Sequence, residues 1–247
     1  MAKGNNWTRI EQMLALELYC RTPFGLIHKR NNDIIALSRK IGRTPSAVSL
    51  KMANFSALDP TITQKGMGNY SKSDAKIWEE FFDNPTLFLE SLAMQNFEET
   101  IIYKTHEEQK AFEVREGKDI PAMTTRRSNQ GFFRETLLTA YGGKCGLTNI
   151  EQKQLLTASH IIPWSKDEKN RLNPRNGILL NALHDRAFDN GLISFEDNLE
   201  IIISPKLYLH DAAKPFFKNK KLRAPEKFGP NPAFLKWHRD YHVETLV

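Results

Sequence analysis

Two stretches of this sequence carry side chains able to do chemistry. ASHIIPW, residues 158–164, sets His160 at the edge of an apolar run. NGILLNALHDRAFD, residues 176–189, opens on Asn176 and carries His184, Asp185 and Asp189. A neutral imidazole takes up a proton close to neutral pH, and imidazole with carboxylate is a donor set that a divalent ion accepts. The two stretches are therefore either one metal-dependent active site split across a turn, or two histidines that have found partners in a core. A histidine ahead of Ile161, Ile162 and Pro163 is more often a core residue donating to a carbonyl. A His-Asp pair on a helix is more often a surface feature. Neither histidine decides the matter alone.

The elements that must position these residues follow from the flanking pattern. LLTASHIIPWS reads as a β-rich segment around residues 155–164, SKDEKNRLNPRNG as a polar loop, and GILLNALHDRAFDNG as a strand running into a short helix. LISFEDNLEIIIS behind it reads as a hairpin with Asp197-Asn198 in the turn. Ahead of the histidines, a helix is expected from about Phe132 to Tyr141, stopped by Gly142-Gly143. From about residue 211 the Pro- and Lys-rich tail reads as a wrapping or arm segment.

In this order, S-H-I-I-P-W, a polar loop, R-N-G-I-L-L and L-H-D-R-A-F-D-N-G-L-I-S-F resemble the HNH endonuclease family over roughly residues 131–205. The closer likeness is to the branch found among bacterial restriction-type endonucleases. The resemblance implies a β-hairpin packed on a helix around one metal ion. It makes His160 the general base that takes a proton from water, Asn176 the side chain that clamps the loop and orients that base, and His184 the residue that holds the metal. Asp185 and then Asp189 complete the implied ligand set. Mg²⁺ is the default ion, and Mn²⁺ or another transition metal suits an imidazole ligand. Two departures stand out. Ser159, a poor ligand, occupies the place before the base where many members carry Asp or His. The family's zinc-knuckle cysteines are missing, so that packing must hold the motif.

The first hundred residues read as helical. WTRIEQMLALELYC spaces Ile10, Met13, Leu14 and Leu18 for one helix face, with Thr8 as N-cap and Glu11 completing a capping box. TPFG breaks that helix. Asp33 is the expected cap of DIIALSRKIG, which Gly42 ends, and Thr44 with Pro45 opens the next helix. Helix, tight glycine turn, helix is the pattern of a helix-turn-helix, whose second helix enters a major groove; it is equally that of a plain helical hairpin. Arg43, Ser46, Ser49, Lys51 and Asn54 are the candidate DNA contacts, and Arg126 and Arg127 further candidates for phosphate. LSRKIGRTPSAVSLKMANFSALDP also looks like the N-terminal region that accompanies this HNH branch. Helix resumes over roughly 71–99 with a break near Asn84-Pro85.

The expected fold class is α+β: a mostly helical DNA-recognition domain at 1–104 with the helix-turn-helix-like unit, a linker at 105–130, and a ββα-metal HNH nuclease domain with a C-terminal arm at 131–247. The 247 residues suffice for two domains, and a net charge of +6 favours a polyanionic partner. Cys20 and Cys145 are too few for a zinc clip and read as reduced thiols. No run is apolar enough to span a bilayer, and MAKGNNWTRIEQ lacks the apolar core of a signal peptide, so the expected location is cytoplasmic without a membrane partner. The resemblance implies a restriction-type endonuclease cutting double-stranded DNA. In some enzymes of similar arrangement that DNA must carry modified cytosine. A cut through both strands implies a homodimer. Two alternatives stay open: a DNA-binding regulator on a decayed HNH scaffold, which Ser159 encourages, and a monomeric nicking or homing-type nuclease.

Overall fold

Thr8 caps the first helix, α1 (Arg9–Arg21): its hydroxyl accepts from the Glu11 amide, and the Glu11 carboxylate accepts from the Thr8 amide in return. In this computed structural model the described residues are 6–62, 69–95, 131–208, 211–217 and 220–246. The expected linker at 105–130, with Arg126 and Arg127, lies outside them. The next helix, α2 (Asn32–Lys40), starts slightly earlier than expected. Its cap is Asn31, whose Oδ1 accepts from the Asp33 and Ile34 amides. Asp33 sits instead in the first turn, where its charge complements the helix dipole. Gly42, at φ +66°, supplies the left-handed residue after α2, and Thr44 and Pro45 open α3 (Pro45–Ser56). The long helical stretch divides at Asn84 into α4 (Lys72–Asp83) and α5 (Pro85–Gln95).

The second half begins with a helix over 131–140, α6, which stops at Gly142 and Gly143, both at positive φ. Strands β1 (Leu156–His160) and β2 (Gly177–Asn181) form an antiparallel hairpin in which His160 faces Gly177 and Leu156 faces Asn181. A Cβ on Gly177 would stand 2.5 Å from Leu137 and 2.6 Å from Phe133. Glycine there lets α6 lie directly on the hairpin. Asn181 ends β2 and caps α7 (Ala182–Asp189), which packs back across both strands. The expected second hairpin follows as β3 (Ile193–Phe195) and β4 (Ile201–Ile203).

The tail wraps the second half with α8 (Pro205–Tyr208), α9 (Lys214–Phe217), α10 (Pro232–Tyr241) and α11 (Val243–Leu246). On α10, His238 is buried and stacks on Phe188 of α7 at 3.8 Å. Its Nε2–H donates to the Phe188 carbonyl, and its Nδ1 accepts from the Ser194 hydroxyl. Burial pushes its pKa down to about 3. The fold is α+β, as expected.

The two halves share one core. Phe81 of α4 meets Phe132 of α6 edge-on at 6.3 Å, and Tyr19 of α1 meets Phe228 of the tail edge-on at 5.9 Å. The buried Lys227 donates its ammonium to the carbonyls of Tyr19 and Thr22 at the end of α1, across more than 200 residues of chain. Such burial is tolerable for a cation because the helix C-terminus presents partial negative charge. Among the described residues no helix is long and apolar enough to cross a membrane.

Candidate active site

His160 stands at the last position of β1, on the rim of an open cleft lined by Phe133, Arg134, Thr157, Ala158, His160 and Trp164. Its ring stacks on Phe133 at 4.1 Å with planes 9° apart, and Trp164 meets it edge-on at 5.7 Å. Nε2 lies 2.8 Å from the carbonyl of Arg171. A carbonyl only accepts, so Nε2 carries the hydrogen. Nδ1 then keeps its lone pair, and it has no hydrogen-bond partner among the described residues. Burial lowers the pKa of the ring below the ordinary histidine value, against the opposing pull of the Arg171 carbonyl. The site therefore holds a neutral imidazole of fixed tautomer and orientation, with one free basic nitrogen. Trp164 closes the stretch ASHIIPW, but no role was read for it; Phe133 and Arg171 were not picked out, because Phe133 arrives on α6 and the Arg171 contribution is a backbone carbonyl.

Asn176 is fully buried between the loop and the hairpin. Its Oδ1 accepts from the Ile162 amide at 2.8 Å, and its Nδ2 donates to the carbonyls of Ile162 and Asn170 at 3.1 and 3.2 Å. Its own carbonyl accepts from the Ile161 amide. Thus one side chain ties the residues just after His160 to the far side of the loop that supplies the Arg171 carbonyl. Asn170, Asn173 and Asp167 add a chain of side-chain bonds within that loop. His160 and Asn176 are brought together, through the loop rather than by touching.

His184 is elsewhere. The register puts His160 at one end of the hairpin, while Asn181, which holds His184, pairs with Leu156 four residues away, about 13 Å along the strand. His184 is buried, and both ring nitrogens are engaged. Nδ1 accepts from Asn181 Nδ2 at 2.8 Å, and Nε2–H donates to the Phe216 carbonyl at 3.0 Å. Phe217 covers the ring edge-on. Cys145 belongs to the same cluster, its sulfur accepting from the Asn181 amide. Burial pushes the Cys145 thiol up, but its polar surroundings, the His184 and Thr148 side chains and the backbone amides of Leu147 and Asn181, outweigh it and bring the pKa to about 7.

The implied ligand set of His184, Asp185 and Asp189 does not converge. On a helix, neighbours in sequence point about 100° apart, so buried His184 and its neighbour Asp185 face different surroundings. Asp185 and Asp189 share a face at i and i+4. Partial burial, and then the Asp185 charge, push Asp189 up to about 6. Among the described residues no three His, Cys, Asp or Glu side chains are grouped to hold an ion. Ser159, before the base position, is buried with its hydroxyl unpartnered. The residues as placed do not fit the ion, and no chemical step is derived through it below.

The candidate DNA contacts of the helical region divide in the same way. Lys51 turns inward, 2.6 Å from Asp74, both side chains buried. Against the upward pull of burial, this bond holds the Asp74 pKa below its ordinary value. Arg43 makes a two-pronged bond to Glu11 and lies over Trp7 at 4.5 Å. Asn54 is buried. α3 is wedged against α1, α2 and α4, so Lys51 and Asn54 are placed toward the bundle, and Arg43, just ahead of α3, is paired with Glu11. Ser46 is exposed and Ser49 half-exposed, its hydroxyl bonded to the Ser46 carbonyl.

Residues 145–196, from Cys145 through both strands of the first hairpin, α7 and β3, match the family model described as HNH endonuclease. No curated protein matches the chain.

Proposed function

We infer, from a chain that belongs to the HNH endonuclease family through residues 145–196, an endonuclease that hydrolyses phosphodiester bonds of double-stranded DNA with His160 as its general base. The observation that supports the assignment is the ring itself: lining the cleft, stacked on Phe133, its Nε2–H given to the Arg171 carbonyl, its Nδ1 without a hydrogen-bond partner among the described residues. Nδ1 takes a proton from water as the water oxygen bonds to phosphorus. The bond from phosphorus to the 3′ oxygen then breaks, leaving a 5′-phosphate and a 3′-hydroxyl that takes its proton from solvent. A base already neutral at pH 7 and locked in one tautomer contributes without reorganising. Asn176 keeps the loop closed and the ring oriented, and does no proton chemistry.

Within this class the reading is a restriction-type enzyme. One such site cuts one strand, so a cut through both implies two copies of the chain. The requirement for modified cytosine rests on family likeness alone. The observation favouring a second reading, a DNA-binding regulator that does not cut, is the neutral and unpartnered Ser159 at the place where the family resemblance leads one to expect Asp or His.

One assay separates these readings. A supercoiled plasmid, with and without cytosine methylation, is incubated with the full chain in Mg²⁺, in Mn²⁺ and in chelator, with His160→Ala alongside. Cleavage slowed at least about 10²-fold in the variant is expected. Linear product points to paired sites and nicked product to a monomeric enzyme. Wild-type cleavage by a folded His160→Ala chain sinks the mechanism, and binding without cleavage in every condition selects the regulator.

A further inference from the structure

Asp59 belongs to the helical half of the chain, and its buried carboxylate serves both halves. Oδ1 accepts from the amide and hydroxyl of Thr61 at 2.9 and 2.7 Å, and from Arg175 Nη2 at 3.4 Å; Oδ2 accepts from the Phe228 amide at 3.0 Å. Arg175 lies flat against the helical half, its guanidinium carbon 4.2 Å from the centroid of Phe82. The Arg175 Nε is buried without an acceptor. Asp59 is the carboxylate that compensates this cation. The backbone of Arg175 is fixed as well, its carbonyl accepting from the Asn231 amide ahead of α10.

The residue after Arg175 is Asn176. Its side chain bonds to Ile162 and to the Asn170 carbonyl, and the adjacent Arg171 carbonyl accepts from His160 Nε2. The path from Asp59 to the imidazole is therefore a continuous run of hydrogen bonds and backbone, with no gap bridged by packing alone. Thr61 and Phe228 are neutral donors to different carboxylate oxygens; an amide in place of the carboxylate keeps one of these acceptors and turns its NH2 toward the other donor, whereas removing the Arg175 charge leaves both sets of bonds in place. Arg175 is the partner that needs the charge.

We propose that Asp59 is a positioning residue for the nuclease site: it holds Arg175, and thereby Asn176 and the loop carbonyl that sets the His160 ring. The proposal rests on the reading of His160 as the general base. It makes the helical half part of the active unit, acting through the loop and not only through DNA.

The test compares Asp59→Asn, Arg175→Met and the double variant in the full chain. Cleavage kinetics are measured alongside ¹⁵N shifts of the His160 ring, with melting temperatures to confirm folding. Each single substitution is expected to lower kcat by about 10–100-fold while KM stays within about twofold. The double variant is expected to be no slower than the slower single, since both cut one path. The His160 nitrogens are expected to move from a single Nε2–H tautomer toward a mixture. A residue that merely stabilises the fold lowers the melting temperature and moves none of these. Arg175→Met leaves the Asp59 bonds to Thr61 and Phe228 in place, so it decides the matter should Asp59→Asn not fold. Wild-type kcat and tautomer in a folded variant overturn the proposal. The ring shifts need no cleavage: if the wild-type chain cuts no DNA, the nuclease reading fails while the tautomer still decides the positioning role.

Discussion

At the scale of the residue, the His160 environment makes a claim about pH. Burial against Phe133 and Trp164 disfavours the imidazolium, and the Arg171 carbonyl, which favours it, only partly offsets this. A general base works in its neutral form. With its pKa below the ordinary value of 6.5, the ring takes up its proton at lower pH than an ordinary histidine does, and that protonation removes activity. The acid limb of the kcat/KM profile is accordingly expected below pH 6.5. A limb at or above that value would mean that the titrating base is not this ring. His160 and Asn176 were both legible in the sequence because their relation is local, a strand end and the far end of one short loop. Phe133 and Arg171, which also tune the ring, were not, since one reaches it from α6 and the other through a carbonyl.

At the scale of the element, α7 shows how helix geometry overrides adjacency. In the sequence His184, Asp185 and Asp189 look like neighbours with one purpose. Wound into a helix, the histidine turns into the core, where it joins β2, Cys145 and the Phe216 segment, while the carboxylates turn elsewhere. His184→Ala removes one of two acceptors of Asn181 Nδ2 and the donor to the Phe216 carbonyl, which costs about 1–3 kcal/mol. The expected result is a lower melting temperature with unchanged Mn²⁺ affinity by calorimetric titration. A tenfold weaker affinity in a folded variant would return His184 to the ligand set. The same reasoning covers α3. Its start was legible, since a Thr cap and a Pro at the first position act over three residues. The inward turn of Lys51 was not, since Asp74 comes from another helix.

At the scale of the molecule, the shared core ties the halves into one cooperative unit. Tyr19, Trp78 and Phe82 of the helical half surround Phe228 of the tail, and Lys227 beside it closes the end of α1. Calorimetry of the intact chain is expected to show a single transition, with calorimetric and van't Hoff enthalpies in agreement. Two resolved transitions would mean that the interface is weaker than its buried aromatic area implies.

What the sequence by itself determined was everything carried by near neighbours: the caps at Thr8 and Thr44, the break at Asn84-Pro85, the glycine stops, and the ordered motif blocks that carry the family. What only the tertiary structure decided was which polar side chains face inward and whom they meet. Asp59 finds the Phe228 amide across 169 positions and Arg175 across 116. Capping and hydrophobic periodicity act within a few residues of chain and leave a local signature. The partner of a buried charge is fixed by how distant elements pack, and no short stretch of sequence records that.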